Sequence, residues 1–141
     1  RDSPWTCRVE ERQVRYRGQT IDLIPYIFEH RENFVLKPND EYGGKGIVLG
    51  WQTDSTSWAH AIQAALTEPY IVQERVAIPS ELYPCLVDGR VELIDLMLDT
   101  NPFVFYGDYV DGCLSRLSAE ALLNVTAGNG SAVATFVVEK R

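Results

Sequence analysis

Residues 34–50, FVLKPNDEYGGKGIVLG, constrain the fold more tightly than any other stretch of the sequence. Two short apolar runs, 34–36 and 47–49, flank a polar segment in which Gly43, Gly44 and Gly46 crowd together, with Lys37 at one end and Lys45 near the other. Runs rich in Val and Ile that are separated by turn residues read as two strands joined by a loop. The loop, 38–46, is longer than a tight hairpin needs, and long loops in compact domains usually serve a function or stay disordered. Glycines let the backbone approach a ligand closely, and the N–H groups of such a loop can line an anion site. The chemistry that wants this set is polyphosphate binding, with one ammonium mounted on a strand and a second carried by the loop. An ordinary hairpin with a solvated tip satisfies the same pattern, and the residues alone leave both readings open.

The 141 residues make one domain or a substantial piece of a larger one, and 45% hydrophobic content is enough for a real core. A formal net charge of -7 argues against a nucleic-acid or anionic-membrane partner. It leaves room for ATP, which needs only a few local cations. Cys7, Cys85 and Cys113 are far apart, odd in number and without a CxxC pair, the usage of a reduced, cytoplasmic protein. Only His30 and His60 could serve a histidine metal site, and both fall in helix-like surface stretches. No signal peptide and no apolar run of about 18 residues is present. The sequence opens on Arg1 without a methionine, so it reads as an excised segment.

Along the chain, residues 13–17 alternate well enough for an edge strand. Thr20 and Asp22 look like helix N-terminal residues, with Pro25 tolerable in the first turn and Leu23, Ile24, Ile27 and Phe28 on the buried face. After the strand–loop–strand unit, Thr53, Asp54 and Ser55 open a second helix. Trp58, Ile62, Ala65 and Leu66 recur in it at helical spacing, and Pro69 stops it. Residues 70–76, YIVQERV, form a third strand. The runs 91–98, 103–106 and 109–117 then read as an antiparallel meander, broken at 99–102 and turning tightly at Gly107 and Asp108. Residues 118–123 could start one helical turn, 124–131 form a second glycine-containing loop, and 132–138 a last strand. The fold class expected is α+β.

An ATP site needs cations for the phosphates, an apolar slot for adenine and a backbone edge for the base. Lys37 and Lys45 could supply the first. The end of YIVQERV could supply the edge, with Gln73 or Glu74 accepting from the adenine amino group and the Val76 backbone meeting the ring. Glu74 could equally be a residue that merely alternates outward. Arg116, near a strand end and followed by Asn124, suits forked phosphate contacts, although an Arg so placed commonly makes a surface ion pair. Asp95 and Asp99 share a strand face but stand too far apart to be a metal pair. The sequons at Asn124 and Asn129 read as chance occurrences.

In this order the signals resemble the ATP-grasp fold, and most closely the circularly permuted family related to glutathionylspermidine synthetase. The resemblance runs from about Thr20 onward, and the KPND-YGGKG loop and the R-L-S…L-N-V-T-A-G run are its most specific parts. It implies two subdomains, 20–80 with the lysine strand, glycine loop and adenine hinge, and 85–139 with the antiparallel sheet, with ATP between them. Lys37 would contact the α- and β-phosphates. Gly43, Gly44, Lys45 and Gly46 would close over the β- and γ-phosphates. Gln73, Glu74 and the Val76 backbone would form the hinge, and Arg116 and Asn124 would approach the transferred phosphoryl group. The reaction implied is ligation of a small-molecule or peptide acid to an amine through an acyl-phosphate.

The family's Mg²⁺ ligands lie upstream of the lysine strand. The cation is therefore expected in the parent protein, without ligands in this segment, and the segment alone is expected to be inactive. The second loop reads AGNG where a run of three glycines is the family pattern. A non-catalytic nucleotide-binding or scaffold module of the same descent is the alternative.

Overall fold

The computed structural model describes residues 3–122 and 130–136. The architecture is α+β, with antiparallel sheets and few helices, and the chain divides into two units, Arg1–Val76 and Ala77–Arg141.

The first unit is built on a four-stranded antiparallel sheet in the order β1-β6-β4-β5, with β1 Thr6–Arg8, β4 Phe34–Pro38, β5 Val48–Leu49 and β6 Tyr70–Glu74. A separate hairpin, β2 Gln13–Tyr16 and β3 Gln19–Asp22, turns through Arg17 and Gly18, both with positive φ. Thus 13–17 is one arm of a hairpin, and its partner runs directly into the first helix. Helix α1, Leu23–Glu29, has Asp22 at its N-cap and Pro25 in its first turn, where the missing N–H costs nothing. Leu23 and Ile27 are fully buried, but Phe28 is 47% exposed, so the buried stripe is narrower than the sequence spacing suggested.

Helix α2, Ser55–Thr67, is the better specified of the two. The Asp54 side chain accepts from the backbone N–H groups of Thr56 and Ser57, and Trp58, Ile62 and Ala65 are buried. Trp58 also donates its indole N–H to the Ile27 carbonyl at 2.9 Å, satisfying an acceptor in the last turn of α1. One face of the sheet carries Phe34, Leu36 and Val72 into this core, with Val9 and Tyr16 closing it and Trp5 packed alongside. Gly50 follows β5 and is buried. A Cβ on it would stand 1.9 Å from the Arg31 carbonyl oxygen, so the two 3-10 turns Arg31–Asn33 and Gly50–Gln52 can meet only through glycine.

The second unit is a four-stranded antiparallel sheet, β10-β9-β8-β7: β7 Ser80–Val87, β8 Arg90–Phe105, β9 Tyr109–Ser118 and β10 Ser131–Val133. The break expected at 99–102 is absent, because β8 runs unbroken for 16 residues. Asp99 and Thr100 pair with Arg116 and Ser115, and Pro102 is accommodated where the register shifts between Pro102 and Val104. Strand β7 was not anticipated. It pairs with β8 through the Asp88–Gly89 turn, and its Pro84 sits on the sheet edge, where a missing donor is tolerated. Ser118 accepts from the Glu120 N–H at 3.0 Å, but no helix follows through residue 122. No helix among the described residues is long and apolar enough to cross a membrane.

Candidate functional site

Side chains alternate across a strand, and this separates the site residues of the first unit into two sets. Lys37 on β4, Gln73 on β6 and Thr6 on β1 occupy the sheet face opposite the core. Register places Val35 and Thr6 on either side of Gln73, with Lys37 two residues beyond Val35. The Lys37 Nζ donates to Gln73 Oε1 at 2.6 Å, and Gln73 Nε2 donates to Thr6 Oγ1 at 2.9 Å. Thr6 lies in a stretch without periodicity, and its membership in this set arises only from strand pairing. Lys37 and Gln73 are both half-buried, and their bond draws the ammonium back along β4, from the level of Ile71 to that of Gln73.

The loop between β4 and β5 keeps Gly43, Gly44 and Gly46 in the left-handed region, at φ 64°, 80° and 73°. A side chain at Gly46 would be strained by that φ. Its Cβ would also press within 3.1 Å of Pro38 and of the Tyr70 hydroxyl, which donates to the Gly46 carbonyl. Lys45 is exposed and forms an i,i+4 ion pair with Glu41 at 2.9 Å; this hydrogen bond holds its ammonium above the ordinary value. An exposed pair of this kind is readily exchanged for another anion.

Glu74 takes the other face. Its carboxylate accepts from the Tyr16 hydroxyl at 2.8 Å and from Arg17 Nε at 3.0 Å, so the β2–β3 hairpin is fastened to the end of β6. The structure therefore brings Gln73, and not the Glu74 side chain, beside Lys37. Val76 lies beyond β6 and is exposed. Arg75, between them, packs its guanidinium over Trp51 at 4.3 Å.

The pH dependence of this clamp follows from its surroundings. Burial pushes the Tyr16 hydroxyl up to about 12 from an ordinary 10.0, helped by its hydrogen bond to Glu74. Burial also pushes the Glu74 carboxyl up, but the hydrogen bonds from Tyr16 and Arg17 outweigh it and leave the group below its ordinary value. The raised Tyr16 value means its contribution is complete below pH 10 and is lost as pH rises through about 12, a change of about 2–3 kcal/mol. The lowered Glu74 value means its contribution is present above its unfolded pKa and is lost as pH falls through the folded one. Thermal melts across the alkaline range should show a fall in stability that Tyr16→Phe flattens. An identical fall in both proteins would assign it to other groups.

In the second unit, Arg116 on β9 stands opposite Asp99 on β8. Its Nε donates to Asp99 Oδ2 at 2.8 Å, its Nη2 donates to the same oxygen, and Asn101 adds a third donor at 2.9 Å. Asp99 is thus the counter-ion of Arg116, and among the described residues no three His, Cys, Asp or Glu side chains are grouped to hold a metal ion. Asn124 and the loop around it lie outside the described residues.

No family model matches the chain, and no solved structure matches it. Among curated proteins, it is 29% identical over 120 residues to one from Frankia casuarinae whose name gives it, provisionally, as glutamate–cysteine ligase 2-2. The match covers 75% of this chain and 13% of that protein, so the chain spans a small part of the length of its relative.

Proposed function

We propose that this chain is the nucleotide-binding portion of an ATP-dependent carboxylate–amine ligase of the ATP-grasp type, akin to the circularly permuted, glutathionylspermidine synthetase-like proteins. The observation that carries the reading is the Lys37 ammonium, held 2.6 Å from Gln73 Oε1 on the sheet face opposite the core, on the strand that leads into a loop with three left-handed glycines and its own lysine. The similarity to a protein named as a ligase supports the reaction class. In this reading Lys37 takes the α- and β-phosphates, and the loop with Gly43, Gly44, Lys45 and Gly46 closes over the β- and γ-phosphates. Gln73, Glu74 and the Val76 backbone edge the adenine, with the Glu74 carboxylate serving the hairpin.

Arg116 and Asn124 serve the transferred phosphoryl group, Arg116 with Asp99 as its resting partner. In the parent protein the γ-phosphoryl passes to a carboxylate oxygen, giving an acyl-phosphate and ADP. An amine then attacks the acyl carbon, phosphate leaves, and the amide forms. Catalysis of this kind is mainly positioning and neutralisation of phosphate charge. Among the described residues no group of His, Cys, Asp or Glu side chains fits a Mg²⁺ site, and in this reading the ion is held elsewhere in the parent protein.

Calorimetric titration tests the nucleotide claim. ATP and ADP should bind with a Kd on the order of 1 mM or tighter, with AMP weaker for want of the β-phosphate. No heat and no thermal shift with ATP at millimolar concentration would overturn the reading.

A further inference from the structure

We infer that Thr6 is a positioning residue for Lys37, acting through the side-chain amide of Gln73; as a statement about nucleotide binding, this rests on the reading above. The geometry leaves one arrangement of the amide. Thr6 Oγ1 lies 3.1 Å from the Pro4 carbonyl oxygen, which can only accept, so the single hydroxyl proton goes there. Towards Gln73 the same oxygen can then only accept, and it receives the amide N–H at 2.9 Å. The amide NH₂ therefore faces β1 and the amide oxygen faces β4. A lysine ammonium has donors and no acceptor, and it meets that oxygen at 2.6 Å. The chain Lys37 → Gln73 → Thr6 → Pro4 has one direction, and it crosses three adjacent strands of one sheet.

Without the Thr6 hydroxyl the amide NH₂ loses its acceptor at the β1 end, and only the lysine contact, which disfavours presenting NH₂ to the ammonium, is left to orient the amide. Lys37 would keep its acceptor, but on an amide held at one end only, and its approach to a phosphate would be less fixed. Gln73 thereby acquires a role distinct from base recognition: it is a neutral holder that fixes the ammonium without cancelling its charge. Gln73→Glu would also hold the ammonium, but as an ion pair that competes with a phosphate.

The relay itself is read in the ligand-free chain by NMR. Thr6→Val, similar in volume and without the hydroxyl, should shift or broaden the Gln73 side-chain NH₂ signals, and Thr6→Ser should restore them. Unchanged signals in Thr6→Val would overturn the relay, whatever the chain binds. Its consequence is read by following backbone amide shifts during ATP titration. Thr6→Val should weaken binding about 3–10-fold and Thr6→Ser should match the wild type, while Gln73→Glu should weaken it more than Thr6→Val. Thermal melts within a few degrees of wild type check that each variant is folded. If Lys37→Ala weakens ATP binding and Thr6→Val does not, the positioning role is wrong and the nucleotide reading stands. If Lys37→Ala binds ATP as the wild type does, the nucleotide reading itself is wrong.

Discussion

Lys37→Ala should abolish most ATP binding by this chain and leave its fold intact. A phosphate deprived of its cation in a partly closed site loses roughly 2–5 kcal/mol, about 30-fold or more in affinity. The fold should tolerate the change because Lys37 is only half-buried and makes its hydrogen bond on the sheet face opposite Phe34, Leu36 and Val72. Losing that bond costs about 0.5–1.5 kcal/mol of stability, a few degrees in Tm. Lys45→Ala should have a smaller effect on binding, because its ammonium is exposed and already shared with Glu41. Calorimetry on the two variants with ATP decides the matter: equal affinities for wild type and Lys37→Ala remove Lys37 from the site.

Gly50→Ala should cost the first unit much of its stability. The added methyl would stand 1.9 Å from the Arg31 carbonyl oxygen and 2.8 Å from that of Phe34. Both are backbone atoms, so no side-chain rotation relieves the clash. Overpacking costs typically about 1–3 kcal/mol where a core can adjust, and a clash against two main-chain carbonyls belongs at the upper end or above it. For a domain of this size about 3 kcal/mol corresponds to roughly 12–24 °C in Tm. The effect should extend to the site, since Gly50 follows β5, the strand that closes the glycine loop onto β4. A Tm within a few degrees of wild type would mean that the two 3-10 turns are not held together as tightly as the contact implies.

Most elements of the first unit were readable because local signals and burial agree. Asp54 caps α2 while Trp58, Ile62 and Ala65 fall on one stripe, and the glycines at 43, 44 and 46 coincide with left-handed backbone. Strand β1 was not readable, because Thr-Cys-Arg has no periodicity and becomes a strand only by pairing with β6. That is why Thr6 went unnoticed. The separation of Gln73 from Glu74 was available in principle, since adjacent strand residues face opposite ways. The partners Tyr16 and Arg17 were not, because they stand 58 and 57 positions away. In the second unit, Asp99, Asn101 and Pro102 carry turn signals that cross-strand pairing overrides. Asp88–Gly89, by contrast, is a strong local hairpin signal, and it joins β7 to β8.

The pairing of β1 with β6 has a consequence for how the chain acquires its function. Thr6 and Gln73 are 67 positions apart, whereas β7, β8 and β9 are joined to one another by short hairpins. Loop closure over long separations slows folding, and local hairpins form early. The β7–β9 meander can therefore assemble strand by strand, while the Lys37 face of the first sheet stays incomplete until the two distant segments find each other. On a ribosome, β6 must have emerged before Lys37 can acquire its anchor. If the proposed function holds, competence to hold a phosphate is a late product of folding, and its appearance reports that the first sheet is complete.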